Sequence, residues 1–154
     1  MKRKVIKISK PGVNTFVLTY NKVGQELEWL GIIKAEEKGE YELKIMAVHK
    51  AINTKGRIVV RAVAKNGAQV KITGMIKIEK EAQGTDNFLE LRVLLLDNDS
   101  RATADPQLEI EANEVKAGHA ASVSKIDEEQ ILYLMSRGFT RKAAEEEIVT
   151  GFLT

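Results

Sequence analysis

Apolar and polar residues alternate along most of this chain with a period of two, the mark of strands that lay one face on a core. Val5, Ile6 and Ile8 stand among Lys2, Arg3, Lys4, Lys7 and Lys10, and Pro11-Gly12 closes that run. Phe16, Leu18 and Tyr20 alternate with Val17 and Thr19, and Asn21 to Gly24 make a turn. Leu27, Trp29 and Leu30 to Ile33 form the next strand, with Gly31 as a bulge or close-packing site. Tyr41, Leu43 and Ile45 alternate with Glu42 and Lys44, and His49 follows. Asn53, Thr54 and Gly56 read as turn residues before a valine-rich strand, Arg57 to Ala64. Lys65-Asn66-Gly67 is the sharpest turn signal. Val70, Ile72, Ile76 and Ile78 resume the alternation around Gly74, and Ala82 to Asn87 read as a loop.

Leu89, Leu91, Val93 and Leu95 hold one face of the next strand. Its other face begins polar with Glu90 and Arg92 and turns apolar at Leu94 and Leu96. A strand apolar on both faces needs cover on both, from a helix or a second chain. Asp97 to Asp105 read as a turn-rich segment ending at Pro106. Leu108, Ile110 and Ala112 then alternate with Gln107, Glu109 and Glu111, and Val115, Ala117 and Val123 continue the pattern around Gly118-His119.

After that the period changes. Asp127 is a helix N-cap with Gln130 three residues on, Ile131, Leu134 and Met135 follow helical spacing, and Gly138 is the stop. Thr140 caps a second helix with Ala143, Ala144, Ile148 and Phe152 on its apolar face. The pattern predicts an all-β body with a two-helix tail. It leaves sandwich and solenoid open, and no fixed repeat length emerges.

Composition narrows the function classes. A chain of 154 residues, 44% hydrophobic and 30% charged, is one ordinary globular unit. A net charge of +2 gives no reason to expect nucleic acid or an anionic membrane as partner. The basic start reads as an exposed edge strand whose lysines discourage pairing, since no aromatic residue interleaves with them as in a nucleic-acid arm. The absence of cysteine excludes disulfides and thiolate metal sites within the chain and fits a reducing compartment. With no signal peptide and no spanning segment, the expected location is cytoplasmic.

Catalytic motifs are missing. Asp97-Asn98-Asp99 starts like a calcium loop but puts Arg101 and Ala102 where a ligand and a glycine belong. Glu109 and Glu111 read as a solvated strand face rather than a glycosidase pair. His119 sits among Ala117, Gly118, Ala120 and Ala121, with room for a neutral imidazole to ligate iron. From residues alone, a hydrogen-bonded structural histidine accounts for it better.

The stretch Leu94 to Gly138, LLLDNDSRATADPQLEIEANEVKAGHAASVSKIDEEQILYLMSRG, resembles the C-terminal core of the SufB/SufD scaffold proteins of the SUF iron–sulfur assembly system. Leu94 to Leu96, Pro106 to Ile110, Gly118-His119 and Tyr133 to Gly138 carry the likeness, and Ile148 to Leu153 resembles the family's close. His49, Asn53, Thr54, Arg57 and Gly74 resemble its upstream segment, so the likeness starts near Val48.

The resemblance implies a right-handed parallel β-helix over residues 1–125 and a helical segment over 126–154. It implies a dimer, with itself or a SufB-like partner, through strands near the end of the β-helix, with Val93, Leu94, Leu95 and Leu96 as the seam. It implies docking of a SufC-type ATPase on the helical segment, at Ile131, Tyr133, Leu134, Arg137 and Gly138. The cysteine and the glutamate that SufB-like members carry fall at Leu91 and Ala120, so the chain looks SufD-like. The expectation is a non-enzymatic scaffold subunit that binds no cofactor stably and shares iron or a cluster transiently with a partner through His119. The alternative is a dimer module of the same fold that has lost metal chemistry. A polysaccharide-cleaving β-helix acting through Glu109 and Glu111 is a distant third.

Overall fold

The computed structural model describes residues 1–154. The strands are β1 (Lys2–Ile8), β2 (Gly12–Tyr20), β3 (Glu26–Ala35), β4 (Gly39–His49), β5 (Lys55–Ala64), β6 (Ala68–Ile78), β7 (Thr85–Leu95), β8 (Arg101–Ile110) and β9 (Val115–Lys125). Two helices follow, α1 (Glu128–Ser136) and α2 (Arg141–Leu153). Odd strands form one sheet in the order β1-β3-β5-β7-β9, and even strands form the other, β2-β4-β6-β8. Every pairing is parallel. The chain thus winds between two facing sheets as a β-solenoid of about four turns.

The β-helix that the resemblance implied is present, with a coil spacing that the sequence pattern did not reveal. Each strand meets its neighbour roughly 30 residues later, from 25 (Lys2 to Leu27) to 32 (Gln69 to Arg101). The corners vary in length, and only the inward rows repeat in character. One such row runs Ile8, Ile33, Ala62, Val93, Val123, and another Asn14, Leu43, Ile72, Ala104. Twenty-three buried residues from these rows make the core.

The interior is narrow, so large side chains face small ones. A Cβ on Gly31 would lie 2.7 Å from the Trp29 ring, and one on Gly74 would lie 2.9 Å from Leu89. The Asn66-Gly67 turn has φ of 60° and 78°, but it passes the chain from one sheet to the other rather than making a hairpin. Asn66 Nδ2 also donates to the Glu36 carbonyl one coil earlier, at 2.8 Å.

Two loop assignments need correction. The turn predicted over Asp97 to Asp105 is short, and β8 already begins at Arg101 and runs through Pro106. Proline is tolerated there because β8 is the edge of its sheet, where a missing N–H breaks no ladder. The loop predicted from Ala82 ends at Gly84, because Thr85 and Asn87 are inward-facing members of β7. Their polarity hides a strand whose interior is itself polar at that level.

Both helices have the expected caps. Asp127 accepts from Glu129 N at 2.9 Å, and Thr140 accepts from Ala143 N at 3.1 Å. Gly138, at φ 101°, donates to Met135 O, and Phe139 N donates to Leu134 O, which closes α1 in a Schellman motif.

Candidate functional site: an open last coil and a helical hairpin

The solenoid's inward rows continue into β8 and β9, but no further coil covers them. Leu108, Ile110 and Val123 are 36%, 41% and 42% exposed. Their register partners one coil earlier, Ile76, Ile78 and Val93, are fully enclosed. His119 belongs to this surface. It pairs with Leu89, in the inward row Trp29, Ile58, Leu89, and it is exposed where Leu89 is buried. Ala120 and Ala121 leave room beside it. No three His, Cys, Asp or Glu side chains gather anywhere as a metal-binding group, so His119 is a lone donor in this chain.

The seam residues lie deeper. Val93 faces the core, and Leu94 is enclosed in a second cluster with Val63 and Leu153 of α2. Leu95 and Leu96 are half-buried. The cover that the doubly apolar strand required is therefore supplied by the chain's own helix. The apolar surface open to a second chain lies beyond it, on β8 and β9.

The predicted docking residues divide in the same way. Ile131 is buried, whereas Tyr133 is 58% exposed. Arg137 places its guanidinium 5.4 Å from the Tyr133 ring centroid and donates from Nη2 to its hydroxyl at 3.2 Å. Leu134 is half-buried, and Gly138 serves the turn. Sequence reasoning missed Leu132, Met135 and Phe139, which are exposed beside Tyr133. Leu132 and Met135, three apart, share a face of α1, a signal that the sequence does carry, whereas Phe139 lies past the Gly138 stop. An exposed tyrosine in contact with an arginine, with large apolar side chains exposed on the same helix and just past its end, has the composition of a protein-binding hot spot.

His49 is the chemically unusual group inside the fold. Its ring stacks on Tyr20, its register partner, with centroids 4.1 Å apart. Thr85 Oγ1 donates to the Ala82 carbonyl at 2.8 Å, which commits its proton. It therefore accepts from Thr54 Oγ1 at 3.2 Å, and Thr54 accepts from His49 Nδ1 at 2.7 Å. That order leaves His49 Nε2 as the acceptor for Asn87 Nδ2 at 2.7 Å. The ring is thus neutral with its proton on Nδ1, and burial pulls its pKa down to about 4. A Cβ at Gly56 would lie 2.5 Å from the Asn87 amide, so glycine is required there for packing and not for a turn. This ladder ties three strands and the turn at Thr54 together and reaches no surface, so its role is structural.

Comparison with known proteins extends the likeness. The family model for the SufBD core domain of SUF system FeS cluster assembly matches residues 9–152, well upstream of Val48. An iron–sulfur cluster assembly SufBD family protein of Staphylococcus aureus (strain USA300) is 40% identical over 106 residues, 69% of this chain and 23% of that protein. The family protein of Staphylococcus haemolyticus (strain JCSC1435) matches to the same extent. The chain thus spans about a quarter of the length of the curated relatives it matches.

Proposed function

This chain belongs to the SufBD family of the SUF iron–sulfur cluster assembly system, and from that premise we propose that it is a SufD-like, non-enzymatic scaffold subunit. It pairs through its open last coil, with itself or with a SufB-like partner, and it recruits a SufC-type ATPase through the exposed face of α1. The observation that carries this reading is the uncovered row of Leu108, Ile110 and Val123. Burying apolar surface stabilises an interface by about 25 cal/mol per Å². The free edges of β8 and β9 can add main-chain hydrogen bonds.

Iron or a nascent cluster is cargo in this reading. His119 offers one imidazole at the pairing surface, and one ligand does not hold a cluster. The remaining ligands come from the partner. With Leu91 and Ala120 in place of the cysteine and glutamate of SufB-like members, this chain contributes a donor and a wall.

Light scattering tests the pairing. The wild-type chain, alone or mixed with a SufB-like partner, has the mass of a dimer, and Val123→Asp is monomeric. A monomer under both conditions refutes the pairing. Anaerobic iron titration of the paired species then separates this reading from the dimer module without metal chemistry. Binding that is lost in His119→Ala supports iron handling, and binding indifferent to that change counts against it.

A further inference from the structure

We propose that Arg61 is the positioning residue that sets the pose of the helical hairpin on the solenoid. The consequence for ATPase recruitment rests on the reading of α1 as the dock; the geometry of the latch does not. Arg61 lies on the outer face of β5 and reaches the C-terminal end of α2. Its Nη1 donates to the Phe152 carbonyl at 3.1 Å and to the Thr154 carbonyl at 2.7 Å. These are orphan carbonyls of the kind every helix leaves at its C-terminal end, where the helix dipole also favours a cation.

Three observations make this bond more than an ordinary cap. First, Arg61 forms no ion pair with any carboxylate, and its Nε is buried without a hydrogen-bond partner. Second, its register partner on β7 is Arg92, whose guanidinium lies 6.0 Å from the Phe152 ring centroid. Two like charges directly opposite on neighbouring strands repel, unless something between them compensates. Glu90 pairs with Arg92 at 3.7 Å, and the end of α2 takes up Arg61. Third, the apolar seat of α2 is fully buried only at Val63, Leu94 and Leu153, and its rim, with Ile148, Val149 and Phe152 of α2, is half-buried.

Apolar burial is non-directional, so such a seat holds the helix against the sheet without fixing its angle. A planar guanidinium bonded to two carbonyls is directional. Beyond Arg61, one ion pair, Lys65 with Glu145 of α2 at 3.7 Å, ties the hairpin to the solenoid, while α1 packs chiefly on α2 and follows β9 through a short link. Arg61 and Arg92 stand on β5 and β7, and β7 is the sheet neighbour of β9, which carries His119. The latch thus fixes the exposed face of α1 relative to the strands that carry the pairing surface.

The cysteine-free sequence allows a direct test on the full chain. Nitroxide labels at Glu129→Cys on α1 and Lys71→Cys on β6 report the pose as a distance distribution by electron–electron double resonance. The otherwise wild-type chain gives one narrow peak. Arg61→Gln and Arg61→Lys each at least double its width, because the amide is shorter and uncharged and the ammonium is a freely rotating point charge rather than a planar donor of fixed orientation. Leu153→Ala lowers thermal stability but keeps the narrow peak. A narrow peak from folded Arg61→Gln overturns the proposal. Should that variant fail to fold, Arg61→Lys decides, and a narrow peak from it overturns the proposal. Equal broadening in Leu153→Ala also overturns it, since any loss of contact would then suffice. If a SufC-type ATPase fails to bind even the wild-type chain, the docking reading fails while the labels still report on Arg61.

Discussion

Lowering the pH places a proton on His49 in the unfolded chain long before it does so in the fold. The buried ring has a pKa of about 4, against an ordinary value of 6.5. Its Nε2 accepts from Asn87 and its Nδ1–H is committed to Thr54, so an added proton would face a donor in a site closed to water. Stability from this group is therefore whole above pH 6.5 and is lost as pH falls from 6.5 through 4, because the unfolded state binds the proton first. At about 1.4 kcal/mol per pH unit, the loss across that window is roughly 3 kcal/mol. Urea unfolding followed by Trp29 fluorescence measures it, because the single tryptophan is fully enclosed in the core. The control is His49→Gln, which is less stable overall but lacks the titration. Burial raises the Asp97 pKa, but bonds from Asn66, Ser100 and Asp99 lower it further, and the net shift is downward. The stability from Asp97 is lost only as pH falls through and below the carboxylate range, and that loss is common to both proteins. Parallel slopes for wild type and His49→Gln between pH 6.5 and 4.5 would refute the account of the ladder.

Other perturbations follow from the same packing. Thr54→Val leaves the His49 Nδ1–H donor without an acceptor, and it should lower the unfolding free energy by about 1–3 kcal/mol in the same urea assay. Gly31→Ala forces a methyl against the Trp29 ring and should destabilise by about 1–3 kcal/mol, with a change in the Trp29 emission maximum. Asn66→Val places a β-branched residue at φ 60° and removes the bond to Glu36. It should lower the melting temperature by several degrees, whereas Asn66→Gly should cost far less.

Much of the fold was legible because inward rows obey a period of two wherever the row is apolar. The strands around Leu43, Val60 and Ile76 follow from that rule alone. The reading lapsed where the interior is polar or the edge is free. Thr85 and Asn87 face inward to serve His49, so hydropathy marks them as loop. Pro106 is admitted by an edge position that only the sheet order reveals. The 30-residue spacing stayed hidden because a parallel ladder constrains size and polarity one coil apart, not identity. His119 could be singled out from its small neighbours, but its place on an uncovered last coil depends on what stacks behind it. The cover over Leu94 was correctly required, and Leu153 of α2 packs against it. The pair Leu132 and Met135 was readable and was passed over in favour of Ile131, which turns inward.

The central claim is that the exposed face of α1 recruits an ATPase to a scaffold. Titration calorimetry of the chain with a SufC-type ATPase tests it most directly. The account predicts saturable binding that weakens at least ten-fold in Leu132→Asp and in Tyr133→Ala, with the fold intact by circular dichroism. Absence of binding by the wild-type chain, or equal affinity in both variants, would contradict it.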